Sequence, residues 1–318
     1  MKRMPMDALI TYVDGNDPLW RKDYEAFAGE PIMAKRFRDW GTLKYLLRGI
    51  GKCMPFIDKV FLVVARESQV PAWVDREQVR VVLHEDIIPK EYLPTFNSTA
   101  IEMFLHRIPD LDERYIYFND DMFPVGLLSE EDFYPGGVPA VGFRRKLFCS
   151  SLFRKQVRNS DQLARRAAGK KPAPFFLQPQ HTCSPMLKRE SEALFSRMEE
   201  DILLSLSRTR TAGNFNQYVF LDYMFYGGKA LCRRLPNRHF SLAAVPVSKV
   251  AAFLRKPTRK LICINDVHLS DEEFQHDRAV LLEAFEARFP EKSRFERQAP
   301  GCGRANGKIA CSGGDKTF

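Results

Sequence analysis

The 318-residue chain has no run of about 18 apolar residues, so nothing in it reads as a membrane-spanning helix. It has no C-x-x-C pair. Its seven cysteines (53, 149, 183, 232, 263, 302 and 311) are scattered and odd in number, which excludes a signalled zinc ribbon or dithiol redox motif and predicts reduced, mostly buried thiols. Asp7 and Asp14 interrupt the first apolar stretch, so no leader-type apolar core forms, and a cytoplasmic location is expected. Internal repeats are missing too. With 45% hydrophobic and 28% charged residues, the bulk is neither disordered, collagenous nor coiled coil. An acidic surplus is also lacking. The 49 Lys and Arg against 40 Asp and Glu leave +9, and that sign calls for an anionic partner.

Short apolar runs at 8–13, 59–65, 79–83 and 114–118, each bounded by polar residues, predict buried strands. Helical spacing lies between them at 42–52 and 98–108, with Asn97 as N-cap of the second. Strands alternating with helices predict an α/β fold with a mostly parallel central sheet. After residue 143 the pattern becomes mostly helical. Residues 144–171 read as a polar, weakly patterned basic insertion, 190–205 and 216–226 as helical, 245–250 and 261–265 as strands. Ser270 with Glu273 opens a capped helix that Pro290 stops. The expected parts are a nucleotide-sugar-binding α/β part (1–143), the basic insertion (144–171), a helical part completing the site (172–297) and a disordered tail (298–318).

Chemistry concentrates at strand ends, where open α/β sheets bind ligands. Asp14, Gly15 and Asp17 follow the first strand and suit a nucleotide sugar, or form a plain turn. Asp120 and Asp121 follow the fourth strand, and adjacent acids there repel unless a cation such as Mg²⁺ or Mn²⁺ joins them. Asn265 and Asp266 repeat that ending far along the chain, so the two could converge on one ion. Asn97 and Ser98 open a helix whose free N–H groups suit phosphate or simply cap it. Arg38 either holds phosphate bidentately or pairs with Asp39. Glu102 and His106, four apart, read as an internal helix pair. His181, in Gln180-His181-Thr182, is a lone histidine.

Together, Leu93-Pro94-Thr95-Phe96-Asn97-Ser98, Leu105-His106-Arg107-Ile108-Pro109 and Tyr117-Phe118-Asn119-Asp120-Asp121-Met122-Phe123 resemble the Stealth family of capsular polysaccharide phosphotransferases. They are similar also to the catalytic part of N-acetylglucosamine-1-phosphotransferase. Residues 178–186 with 214–226 resemble the family's third block, and 259–266 its fourth. The chain departs from the usual pattern at Trp40, Thr42, Cys183 and Asn216.

The resemblance implies a glycosyltransferase-like fold. It also implies transfer of a sugar-1-phosphate from a UDP-sugar to a glycan hydroxyl, with release of UMP. Carried over position by position, Asp14, Gly15, Asp17, Arg38, Asp39, Asn97, Ser98 and Arg210 (or Arg208) would hold the donor. Asp120, Asp121, Asn265 and Asp266 would bind Mg²⁺ or Mn²⁺. His181 would be the general base, with Asp121, Asp14 and Arg38 beside it in the catalytic set. The alternatives are a conventional glycosyltransferase releasing UDP and a non-catalytic polyanion-binding protein.

The charge surplus sits in one place. Residues 144–171 hold ten Lys or Arg and one acid, Asp161, so the rest is formally neutral. A surplus so confined suits an anionic or phosphorylated glycan acceptor, or peripheral contact with an anionic inner-membrane face, rather than nucleic acid.

Overall fold

The computed structural model describes residues 4–29, 37–265 and 269–298. Strand β1 (Met6–Thr11) leads to helices α1 (Pro18–Phe27) and α2 (Leu43–Cys53), then strands β2 (Val60–Val64) and β3 (Val79–Leu83). Two short helices, α3 (His84–Ile87) and α4 (Ser98–Glu102), precede β4 (Arg114–Asn119), β5 (Met122–Pro124), α5 (Glu130–Phe133), β6 (Ala140–Val141) and β7 (Phe143–Lys146). The second half runs α6 (Leu152–Ala167), β8 (Phe176–Pro179), β9 (Ser184–Leu187), α7 (Lys188–Arg197), α8 (Glu199–Ser205), α9 (Tyr218–Tyr226) and β10 (Leu231–Cys232). It ends with β11 (Asn237–Ser241), α10 (Val247–Arg255), β12 (Leu261–Asn265) and α11 (Asp271–Arg288).

The central sheet has the order β3-β2-β1-β4-β9. Its first four strands are parallel, and β9 runs antiparallel to β4. It is covered on both faces, as near-continuous apolar strands require. Side chains alternate along a strand, so Ala8, Ile10, Leu62, Val64, Ile116 and Phe118 point to one core with α2, α10 and α11. Leu9, Phe61, Val63, Tyr115 and Tyr117 point to the other, with α6, α7 and α9. The α/β fold with a mostly parallel sheet flanked by helices is therefore as expected.

Four local expectations change. Residues 247–255 form a helix, not a strand at 245–250, because Val247, Val250, Ala251 and Leu254 are buried at helical spacing after Pro246. The helix expected over 98–108 stops at Glu102 and resumes as a single 3₁₀ turn at Leu105–Arg107 before Pro109. Met103, Phe104 and Leu105 are all buried, and consecutive burial needs a chain that turns rather than one helical stripe. The basic stretch 144–171 is not weakly patterned. It contains β7 and the 16-residue α6, which packs Val157, Ser160, Leu163, Ala164 and Ala167 inward and leaves most of its cations outside. Strand β9, from the part expected to be helical, joins the central sheet. The tail from 299 onward lies outside the described residues.

The far end of the chain is strapped to the first helical layer. Arg48 on α2 donates from Nε and Nη2 to the Glu296 carboxylate, both at 2.9 Å, and from Nη1 to the Phe289 carbonyl at 2.7 Å. Both partners are buried. Arg48 keeps the Glu296 carboxyl below its ordinary range despite burial, which acts the other way. The pair therefore stabilises fully above the ordinary glutamate range and less as pH falls through the lowered value. Arg48→Met is expected to cost about 3–5 kcal/mol, since it leaves a buried carboxylate unpaired. Urea titrations should show that deficit near neutral pH and a smaller one in acid.

Candidate active site

A cavity of about 1200 Å³ opens at the carboxyl ends of β1 and β4, where the connections leave the sheet in opposite directions. Small-molecule pockets usually run to roughly 300–1,000 Å³, so this one has room for more than one substrate group.

Strand direction explains which residues meet there. β4 delivers Asn119, Asp120 and Asp121 to its carboxyl end. Because β9 is antiparallel to β4, with Tyr117 opposite Ser184, the residues just before β9 return to the same end. That brings His181 to Asp121, with Nε2 3.8 Å from Oδ2. β12 is antiparallel to β5, with Cys263 opposite Met122, so its own end, Asn265, lies beside Asp120 and Asp121. The Ile264 N–H donates to the Asp121 carbonyl at 2.9 Å. Asn265 thus approaches the Asn119-Asp120-Asp121 ending. Asp266 lies outside the described residues.

The cavity is acidic at its base. Asp120 is pushed up to about 7 by withdrawal from water and then by Asp121 and Asp39. Asp39 is also raised by burial. It accepts from the Gly41 N–H and from the Tyr12 hydroxyl. Among the described residues, buried Asp121 Oδ1 has no hydrogen-bond partner, nor do Gln178 Oε1, Gln217 Oε1 and Asn237 Oδ1, and all four residues line the cavity. Buried oxygens left without donors cost free energy, so a wall bearing four of them is shaped for a ligand that brings donors or positive charge. The raised Asp120 carboxyl, the unpartnered Asp121 oxygen and the adjacent Asn265 make a fitting oxygen set for Mg²⁺ or Mn²⁺.

His181 is oriented by Tyr218, whose hydroxyl lies 3.0 Å from Nδ1, and its backbone carbonyl accepts from Asn237 Nδ2 at 2.9 Å. Tyr218 opens the aromatic helix α9, and its hydroxyl stays protonated because burial drives its pKa up. Opposite, Ser98 and Arg210 meet side chain to side chain at the cavity wall. Trp20, Phe37 and Phe96 form an aromatic wall, with Trp20 4.8 Å from Phe37 and 5.5 Å from Phe96 between ring centroids.

Other sequence candidates stand elsewhere. Asp17 is buried and caps α1, accepting from the Leu19 and Trp20 N–H groups and from Ser68. Asp14 accepts from the Asn16 N–H in a local turn. It is not on the cavity wall, although its charge acts on Tyr12 and Asp39. Gly15 is needed for closeness, since a Cβ there would lie 2.0 Å from the Phe37 carbonyl oxygen. Its N–H donates to that same oxygen, and so fixes the approach to Arg38.

Asn97 corrects the phosphate reading. It is buried, caps α4, and donates to the Ser207 and Thr209 carbonyls and to Asn214 Oδ1, so it ties down the 205–214 loop rather than facing the cavity. Arg38 reaches the cavity, but it bonds the Leu269 carbonyl and Asp271 and lies over Phe274, which anchors the start of α11. The expected Glu102–His106 pair does not form. Glu102 accepts from the Gln217 N–H at 2.7 Å and is pushed up to about 7 by burial. His106 stacks near Phe195 and is pushed down to about 3 by burial. Glu102, Tyr12, Tyr218, Gln217 and His239 also belong to the site. Glu102 carried a sequence signal only as a helix pair with His106, and Gln217 and Tyr218 only as part of the 214–226 stretch, while His239 carried none.

Residues 36–139 match the model for Stealth protein conserved region 2, and residues 251–305 that for conserved region 4. The capsular polysaccharide phosphotransferase of Actinobacillus suis is 33% identical over 250 residues, covering 73% of this chain and 67% of that protein. Capsular polysaccharide phosphotransferase WcwK of Streptococcus pneumoniae is 28% identical over 334 residues, 92% of this chain and 99% of that one. Receptor polysaccharide phosphotransferase WefC of Streptococcus oralis is 28% identical over 336 residues, with the same coverage. Among solved structures, galactosyltransferase LgtC aligns over 87% of this chain and 96% of its own, at 11% identity and a TM-score of 0.39. With both conserved regions matched and a relative 33% identical over two thirds of its length, the chain belongs to the Stealth family of polysaccharide phosphotransferases and is a transferase.

Proposed function

We propose that the enzyme transfers a sugar-1-phosphate, such as N-acetylglucosamine-1-phosphate, from a UDP-sugar to a hydroxyl of a capsular or surface glycan, releasing UMP. The observation that carries this reading is the meeting of His181 with the Asp120–Asp121 pair and Asn265 at one strand end. The acceptor oxygen bonds to the phosphorus that carries the sugar, and the bond from that phosphorus to the oxygen leaving with UMP breaks. The anomeric carbon is not touched. Little covalent help is needed from protein in such a reaction, and positioning with charge neutralisation does most of the work.

His181 takes the acceptor proton at Nε2, because Tyr218 occupies Nδ1. Asp120, Asp121 and Asn265, with Asp266 assigned by sequence alone, would hold Mg²⁺ or Mn²⁺, which when bound neutralises charge on the phosphates. Arg210 with Ser98 serves the phosphates from the opposite wall, and Trp20, Phe37 and Phe96 offer an apolar face to the nucleotide base. Arg38 and Asp39 shape that end of the cavity, with Asp14 behind them.

An anionic or phosphorylated acceptor fits the cations at the mouth, where Arg144, Arg234 and Arg238 line the cavity. The loop after β7 exposes Leu147 and Phe148 beside Arg144, Arg145 and Lys146. That combination supports peripheral contact of 144–171 with an anionic membrane on the cytoplasmic side. No helix among the described residues is long and apolar enough to cross a membrane.

With UDP-sugars and a glycan acceptor, UMP is the expected nucleotide product. UDP would indicate a conventional glycosyltransferase and overturn the reading. Asp121→Asn and His181→Ala should each lower kcat by at least about 100-fold, the scale of a lost acid–base group. No nucleotide release by the parent, with polyanion binding that is unchanged in Asp121→Ala and falls steeply with salt, would instead indicate a polyanion-binding protein. Glu102 gives a separate stability test. Its pKa is raised from 4.5 to about 7, so the folded state holds a proton that the unfolded state has lost between those values. Stability from this group is therefore present at low pH and falls as pH rises through that window. Glu102→Gln keeps the acceptor for the Gln217 N–H and should be more stable than the parent by up to about 3 kcal/mol near pH 8, with little difference near pH 4. Urea unfolding at both pH values measures it.

A further inference from the structure

Parallel pairing of β11 with β12 sets His239 directly beside Cys263, so both side chains leave the same face of that small sheet. The face looks onto His181. The ring centres of His181 and His239 lie 5.6 Å apart. One ligand atom from each of His181, His239 and Cys263 lies within 4.8 Å of the others. Asp121 Oδ2 is 3.4 Å from Cys263 Sγ and 3.8 Å from His181 Nε2. Two imidazoles, one thiol and one carboxylate therefore surround a single point on the cavity wall.

We propose that this cluster is a second cation site, selective for a soft divalent ion such as Zn²⁺, distinct from the oxygen set of Asp120 and Asn265 but sharing Asp121. The donor chemistry decides the selectivity. Thiolate and imidazole favour Zn²⁺ over Mg²⁺, which takes oxygen ligands in octahedral geometry. A tetrahedral zinc centre needs its donors roughly 3.3–3.8 Å apart, so closing from the present spacing asks for side-chain movements of about an ångström. Support from outside the ligand set is already present. Tyr218 holds Nδ1 of His181, which leaves Nε2 turned to Asp121, the arrangement that orients a metal-bound histidine. His239 is exposed and gives the ion a way in, whereas Cys263 is buried and supplies the inner ligand. On binding, the Cys263 thiol gives its proton to solvent and the thiolate sulfur takes the metal.

The consequence is inhibition. An ion held on His181 Nε2 occupies the nitrogen that would take the acceptor proton. This consequence rests on the role proposed above for His181, but the binding does not.

Co²⁺ as a probe separates the two. Added to the metal-free protein in the presence of excess Mg²⁺, Co²⁺ should bind at one equivalent with a thiolate-to-cobalt charge-transfer band and the intense visible absorption of a tetrahedral site. Cys263→Ser should abolish the charge-transfer band. Because Cys263 is buried and its replacement could unsettle the core, the exposed His239→Ala carries the test independently. It should weaken Zn²⁺ binding, measured by competition with a chromophoric chelator, by more than the ~10–100-fold that loss of a supporting contact costs. Zn²⁺ binding and Co²⁺ spectra that are the same in the parent and in both variants would overturn the site. If Co²⁺ shows the band and Zn²⁺ binds through these residues but does not inhibit UMP release at saturating Mg²⁺, the site stands and the base assignment of His181 falls.

Discussion

Three residue pairs hold the functional end of this molecule together. Leu261, Ile262 and Cys263 run antiparallel to Pro124, Phe123 and Met122, and the bond from the Ile264 N–H to the Asp121 carbonyl closes the ladder at the cavity. An antiparallel pairing makes the end of one strand meet the beginning of the other. β12 therefore brings Asn265 to the start of β5, where Asp120 and Asp121 have just left β4. The same rule applied to β9 and β4 returns His181 to that point. The parallel part of the sheet supplies the platform, and the two reversals supply the chemistry. A one-residue slip in either pairing would turn alternate side chains to the opposite face and separate the histidine, the thiol and the acids.

The electrostatics of the cavity follow from that convergence. Withdrawal from water and then Asp121 and Asp39 raise the proton affinity of Asp120, and withdrawal and then Asp14 raise that of Asp39. Folding tolerates this because two continuous cores, one on each face of the sheet, hold the strands in place. Among the described residues, four that line the cavity also keep an oxygen without a donor. The free enzyme is thus under-satisfied where ligand would bind, and a cationic or donor-rich ligand relieves the cost.

Much of this is legible in the amino-acid sequence. Apolar runs ending in acids located the strand ends, and Ser270 with Glu273 marked the start of α11. Asn97 was readable as an N-cap, but not as the residue whose amide also ties down a loop more than a hundred positions away. Arg38 looked like a phosphate ligand because its contact with the start of α11 depends on tertiary packing. His239 carried no signal, since its meaning comes from register with Cys263, and register between distant strands is not a local property. In 144–171 the density of Arg and Lys hid the inward stripe of α6, whose buried members include the small residues Ser160, Ala164 and Ala167 and the polar Gln156 and Asp161. The strand expected at 245–250 failed because β-branched residues there followed a helical spacing that the short window did not reveal.

The strap from Arg48 to Glu296 gives the fold a temporal property. Backbone bonds from Asp75 to Phe295 and from Arg297 to Trp73 reinforce it, so a segment made late closes over a layer made early. β12, which completes the acidic site, also comes late. A ribosome-bound chain that has released only its first half holds four parallel strands and the two acids after β4, but neither the histidine opposite them nor the strand that fixes them. Long-range pairings of this kind form slowly because their loops must close first. The nascent chain therefore holds the parallel half of its sheet well before β9 and β12 bring His181 and Asn265 to its strand ends.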